Sequence, residues 1–279
     1  MINYNGNILA EDDFKVSAQN RAFKYGDGIF DTLKCLNKRV CFVEDHYFRL
    51  MSSMRMLRMK IPLHFTLEYY ETQIKRTLSE NDLLAAARIR VSVFRVDGGY
   101  YAPLSNEVNF IIEVNPLTAK EDTRNYEIEL YKDFPTASGL LSTIKTNNRI
   151  INVLAGIYAQ ENEYQNCILI NENKEVVEAI NANIFLIRGN EILTPWLESG
   201  CINGIVRKKL IETLRKQDLF SVSETQISPF DLLKVDEVFL TNSVTEIQIV
   251  DRYRKKHYSR KKSVMIKELF DRELMKSLI

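Results

Sequence analysis

Lys145 opens the chemistry of this chain. In the stretch STIKTNNRIINVL (Ser142 to Leu154) it ends a short apolar–polar alternation, and Thr146, Asn147, Asn148 and Arg149 follow before an apolar helical pattern begins. A lysine where a strand hands over to a helix can point its amine into a cleft, with helix N-terminal amides nearby. Desolvated there, the amine loses its proton more readily and becomes a nucleophile able to form a Schiff base. Most lysines are solvated surface charges, so Lys145 by itself decides nothing.

Other residues carry a second and third signal. Glu178 lies in EVVEAINANIFLI, an otherwise apolar and small-residue run. It reads either as an edge residue facing water or as a carboxylate paired with a ring-nitrogen cation. Arg49 reads either as a solvated helix charge or as an anion clamp, because a guanidinium matches phosphate geometry. Arg95, at the mouth of a strand, either holds a substrate carboxylate or flanks a turn. Gly204 precedes a helical pattern, and the first free amides there, with Ile205 and Val206, make a phosphate site without a charged side chain. Thr241-Asn242-Ser243, at the end of a buried strand, can finish a phosphate cup or simply turn the chain.

The elements that must position these residues follow from periodicity. Asn5-Gly6 marks an opening hairpin. A strand from Ile29 to Leu36 turns at Asn37-Lys38 and returns from Arg39 to Val43. A helix from Glu44 to Met56 would bury Phe48, Met51 and Leu57, and a second runs from Thr66 to about Leu78. Ala87, Ile89, Val91 and Val93 alternate with Arg88, Arg90, Ser92 and Phe94 as in a half-buried strand. After a strand from Val108 to Val114, the polar connection VNPLTAKEDT places a domain boundary near Pro116, giving a smaller N-terminal domain (1–116) and a larger C-terminal one (117–279). Strands and helices then alternate to a final helix, Val264 to Leu278.

Composition narrows the classes. With 279 residues, and 38 Lys+Arg against 37 Asp+Glu, the chain can bury a large core and carries no global field toward nucleic acid or membrane. No stretch is long and apolar enough to span a bilayer. Four scattered cysteines without a CxxC pattern suit reduced thiols in the cytoplasm, and His46, His64 and His257 share no metal-ligand spacing. The basic run RYRKKHYSRKK (Arg252 to Lys262) keeps a remote alternative open, a non-catalytic nucleic-acid-binding protein.

In order and spacing, six segments resemble the fold-type IV pyridoxal-phosphate enzymes, the class IV aminotransferases. They are RAFKYGDGIFDT, HYFRL (His46 to Leu50), IKTNNRIINVLA, VVEAINANIF, TPWLESGCINGIVR and VFLTNSVTEI. The resemblance covers nearly the whole chain. It implies an α+β or α/β, two-domain, D-amino acid aminotransferase-like fold, a homodimer, and pyridoxal 5'-phosphate in the interdomain cleft. Lys145 would be the Schiff-base lysine and proton shuttle, and Glu178 the partner of the pyridine nitrogen. Arg49, the backbone of Ile205 and Val206, and Thr241 would hold the phosphate, while Ile202 packs on the ring. Val206 stands where a Thr is common, which removes a hydroxyl but keeps the amide. Asn183 matches a family position with no role assigned. Tyr25, Asp31 and Arg95 are candidate substrate contacts.

The NNR after Lys145 looks like the LNR of aminodeoxychorismate lyases, which release pyruvate and leave 4-aminobenzoate. The alternative is an aminotransferase acting on branched-chain or D-amino acids with 2-oxoglutarate. Either way the implied partner is a small-molecule amino substrate, with no nucleic acid and no membrane.

Overall fold

Turn chemistry sets the first sheet. In the computed structural model, which describes residues 1–117 and 125–278, the Asn5-Gly6 turn joins β1 (Ile2–Tyr4) to β2 (Asn7–Leu9) as an antiparallel hairpin. A short helix α1 (Arg21–Tyr25) leads to β3 (Gly28–Leu36), and Asn37 and Lys38, with φ of 49° and 66°, turn the chain into β4 (Arg39–Val40). The return strand is shorter than expected, because Phe42 adopts φ 50° and starts α2 (Val43–Met56).

α3 (Leu67–Ser79) is capped by Thr66, whose hydroxyl accepts from the Tyr69 amide, and β5 (Ala86–Arg95) and β6 (Val108–Pro116) complete the sheet. The strand order is β2-β1-β6-β5-β3-β4. The alternation holds along β5: Ala87, Ile89, Val91 and Val93 are buried. α2 and α3 cover that side. The buried face of α2 is set by His46, Leu50, Met51 and Met54, and Phe48 is exposed, so the stripe is rotated from the one expected.

The chain divides into two compact units. One comprises Met1–Ala119, Lys145–Asn148 and Ser277–Ile279, and the other Lys120–Ile144 and Arg149–Lys276. Of the polar connection expected at 114–123, the first three residues belong to the end of β6, and the part beyond Leu117 lies outside the described residues.

The second unit holds β7 (Glu127–Leu130), α4 (Ile150–Glu161), β8 (Asn166–Ile170), β9 (Val176–Ala179), β10 (Asn183–Arg188), β11 (Glu191–Pro195), α5 (Ile205–Arg215), β12 (Ser221–Thr225), β13 (Glu237–Asn242), β14 (Glu246–Val250), β15 (Arg252–Tyr253), β16 (Lys256–His257) and α6 (Lys261–Ser277). They form two five-stranded sheets, β12-β11-β10-β13-β14 and β16-β15-β7-β8-β9. Ile128, Ile168 and Val176 of one sheet and Ile184, Leu186, Val238 and Leu240 of the other share one apolar core. Such burial stabilises by about 25 cal/mol for each Å² of apolar surface removed from water. On the reverse side of β8, Ala155 and Ala159 of α4 pack with Tyr131, Cys167 and Leu169.

The basic run is not a bare stripe. Arg252 pairs with Glu127, Arg254 with Glu129 and Arg260 with Asp251. Among the described residues no helix is long and apolar enough to cross a membrane, and no cluster of metal-ligating side chains occurs.

Candidate active site

In the first unit, Lys145 is tied to β3 by its own backbone. The Phe30 amide donates to the Lys145 carbonyl at 2.9 Å, and the Asn147 amide to the Gly28 carbonyl at 2.9 Å. Ile29 and Thr146 form an isolated antiparallel bridge. The lysine is therefore not the end of a continuous strand, as expected. A 3-10 turn at Leu140–Thr143 precedes it, and Lys145–Asn148 is annealed as a short strip before α4 begins.

On this strip the Lys145 Nζ lies 4.8 Å from the centroid of the Phe30 ring, and the Arg90 guanidinium carbon lies 3.8 Å from the same centroid. Each such cation–ring contact contributes about 0.5–2 kcal/mol, depending on its desolvation. Burial presses the Arg90 pKa below its ordinary value, against the pull of Glu113. Arg90 was on the polar side of the β5 alternation in the sequence, but only the register, which pairs Arg90 with Thr32 and Ser92 with Phe30, brings it to the Phe30 ring that Lys145 also meets.

Asp31 points to the other side of the sheet. Fully buried, it accepts from His46 Nδ1 at 2.9 Å and from Arg49 Nε at 3.0 Å, and it also binds Arg49 Nη2. Burial pushes its carboxyl upward, but the charges and hydrogen bonds of Arg49 and His46 hold it well below the ordinary carboxylate range. Burial pushes His46 below the usual imidazole value, so it donates Nδ1–H as a neutral ring. Asp31 is thus a core-side anchor for α2, in place of the substrate contact expected. One edge of the Arg49 fork, Nε and Nη2, is spent on this carboxylate.

Arg95 is also reassigned. Its Nε meets Asp27 at 3.0 Å, its Nη1 the Asn106 side chain at 2.5 Å and its Nη2 the Leu57 carbonyl at 2.8 Å. With a donor in each of these bonds and the residue buried, Arg95 pins loops together and is not offered to a substrate carboxylate. Tyr25 ends α1 half-buried, its ring 5.6 Å from that of Tyr101 and 5.1 Å from the Arg21 guanidinium.

The second unit collects Glu178, Ile202, Ile205, Val206 and Thr241. Glu178, on β9, is buried and does not face water; its Oε2 accepts the Ile202 amide at 2.9 Å. Arg149 is electrostatically coupled to Glu178, and its Nη2 donates to the Ile144 carbonyl at 2.9 Å. Burial lowers the Arg149 pKa while Glu178 opposes that shift. The α5 helix starts at Ile205 with Gly204 as N-cap and no capping side chain, so its first-turn amides are presented by the backbone alone. β10 pairs Asn183 with Thr241 of β13. The Thr241 hydroxyl oxygen is buried with no hydrogen-bond partner among the described residues. A buried, unmet hydroxyl and an uncapped helix N-terminus are what a phosphate monoester takes up, so these residues fit the phosphate of pyridoxal phosphate.

The profile described as amino-transferase class IV matches residues 28–253. The chain is 28% identical over 232 residues to an aminodeoxychorismate lyase of Vibrio harveyi, covering 81% of this chain and 82% of the relative. It is 29% identical over 248 residues to a putative branched-chain-amino-acid aminotransferase of Methanocaldococcus jannaschii, covering 87% and 84%. Its fold matches the branched-chain aminotransferase of Thermobaculum terrenum, solved in its PLP form, with a TM-score of 0.86 at 19% identity, covering 98% and 93%. A lysine and an arginine on one aromatic ring, an uncapped helix N-terminus and a buried unmet hydroxyl thus sit inside a profile match that spans most of the chain, and the protein belongs to the class IV aminotransferases, pyridoxal-phosphate enzymes working as transferases or lyases.

Proposed function

We propose that the protein is a 4-amino-4-deoxychorismate lyase, which releases pyruvate and leaves 4-aminobenzoate, a folate precursor. The observation that carries this reading is the Phe30 ring bearing both Lys145 and Arg90. A guanidinium on the same ring as the reacting amine suits a substrate with carboxylates near the bond that breaks. The Asn148-Arg149 pair after the lysine and the lyase relative support the same reaction.

Lys145 would hold the cofactor covalently and move a proton at the substrate carbon that bears the amino group. Bound pyridoxal phosphate supplies an electron sink for the charge left on that carbon. Glu178 would keep the ring nitrogen protonated, with Arg149 favouring its ionised form. The amides of Ile205 and Val206 and the Thr241 hydroxyl would hold the phosphate; Arg49 would add its charge, and Ile202 would pack on the ring.

The test is pyruvate release from 4-amino-4-deoxychorismate, alongside the visible absorbance of the holoenzyme exposed to L-glutamate, branched-chain and D-amino acids. Pyruvate formation with an unchanged spectrum supports the lyase. Loss of the yellow band with an amino donor and no pyruvate would make it an aminotransferase, the reading that the Methanocaldococcus jannaschii relative favours.

We also propose a homodimer. α4 exposes Ile150, Val153 and Ile157, one apolar stripe at helical spacing, and Leu140 and Leu141 are exposed in the same unit. A second copy of the chain is the occupant that the family resemblance implies.

A further inference from the structure

Asn183 has no part in the assignments above, yet it meets Thr241 and the Ile202–Gly204 turn that leads into α5. It opens β10, is 5% exposed, and lies opposite Thr241 across the β10–β13 pair. Its Nδ2 donates to the Ile202 carbonyl at 2.8 Å. The Ile202 amide is held in turn by Glu178, so both polar groups of this residue are gripped by side chains from adjacent strand ends. The Gly204 amide reaches the same carbonyl at 2.8 Å, which tightens the turn that leads directly into α5.

The other end of the Asn183 amide explains the glycine. A Cβ on Gly204 would lie 2.1 Å from Asn183 Oδ1, an impossible contact. The backbone at Gly204, with φ −69° and ψ 138°, is open to any L-residue. A side chain is excluded here by Asn183 and not by conformation.

We infer that Asn183 is a positioning residue for cofactor phosphate. By fixing the Ile202–Gly204 turn it sets where α5 begins, and so where the Ile205 and Val206 amides point and which way Ile202 presents its side chain. This inference rests on the reading of the α5 N-terminus as the phosphate site.

The experiment compares the apoprotein's dissociation constants for pyridoxal 5'-phosphate and for pyridoxal, which lacks the phosphate but offers the same aldehyde to Lys145. Their ratio isolates the phosphate contribution. Asn183→Ala should shrink the ratio about tenfold, the size of one hydrogen bond's worth of positioning, with the pyridoxal constant little changed. The isosteric Asn183→Asp should shrink it further, because it sets an anion against the Ile202 carbonyl and near the phosphate. Gly204→Ala should shrink the ratio in the native background and add nothing in the Asn183→Ala background, since the clash is then gone.

Equal weakening for both ligands in the Asn183 variants would overturn the inference and leave Asn183 as a fold residue. So would a Gly204→Ala effect of the same size in both backgrounds. If the native protein itself bound the two ligands equally, the α5 phosphate site would fall, and the role of Asn183 with it.

Discussion

Removing the Asp31 carboxylate should cost far more than its size suggests. Asp31→Asn leaves the Arg49 guanidinium desolvated without its counter-charge, and breaking one side of a buried pair costs about 3–5 kcal/mol. Urea unfolding at neutral pH should show that loss, and a change under 1 kcal/mol would mean the pair is not a stabilising anchor. The neutral His46 beside it makes stability depend on pH. Because its folded pKa is depressed, the unfolded chain takes up a proton that the folded chain does not as pH falls below about 6.5. Its contribution is complete above that pH and is lost at up to about 1.4 kcal/mol per pH unit below it. The charged neighbours that set this are Asp31, Arg49 and Asp45. A His46→Gln variant should flatten the slope between pH 6.5 and 5, and an unchanged slope would assign it to other groups. At the catalytic end, Lys145→Ala should abolish turnover and leave no yellow band after gel filtration; full turnover would remove Lys145 from the mechanism. Lys145, Glu178 and Thr241 could be proposed from residue type and order alone. Asp31 and Arg95 were misread because the partners that claim them, His46 and Arg49 for one and Asp27 and Asn106 for the other, come from distant parts of the chain.

At the scale of elements, the Lys145–Asn148 strip depends on a close approach to β3. A Cβ at Gly28 would meet Asn147 Nδ2 at 2.7 Å, with Phe94 Cβ and the Val93 carbonyl each at 3.2 Å. Gly28→Ala should therefore push the strip off β3, at about 1–3 kcal/mol for overpacking. It should also slow the return of the yellow band when cofactor is added to apoprotein. Native reconstitution kinetics in this variant would show that the strip does not need the contact. The strands and helices were largely readable, since alternation along β5 and capping at Thr66 are local signals. Rotation of the α2 stripe was not, because burial of His46 and exposure of Phe48 depend on what lies across from the helix.

For the whole molecule, the apolar stripe on α4 is an exposed feature that a second copy would cover. Replacing Val153 and Ile157 together with Asp should convert the proposed dimer to a monomer in sedimentation, with far-ultraviolet circular dichroism unchanged. A native dimer in that variant would place the interface elsewhere. The Arg252–Lys262 run shows the opposite case: Glu127, Glu129 and Asp251 pair with Arg252, Arg254 and Arg260, so its arginines are not the bare stripe that the sequence suggests.

The sequence by itself determined the family, the cofactor and the order of the elements, because each rests on residue types at short, local spacings. Only the tertiary structure decided which side chains remain available for chemistry. It sealed Asp31 and Arg95 into ion pairs, brought Arg90 to the Phe30 ring through strand register, and placed Asn183 against Gly204 across a turn. Those outcomes depend on contacts between residues far apart in the chain, and a buried polar group is committed to whichever partner the fold brings within hydrogen-bond reach.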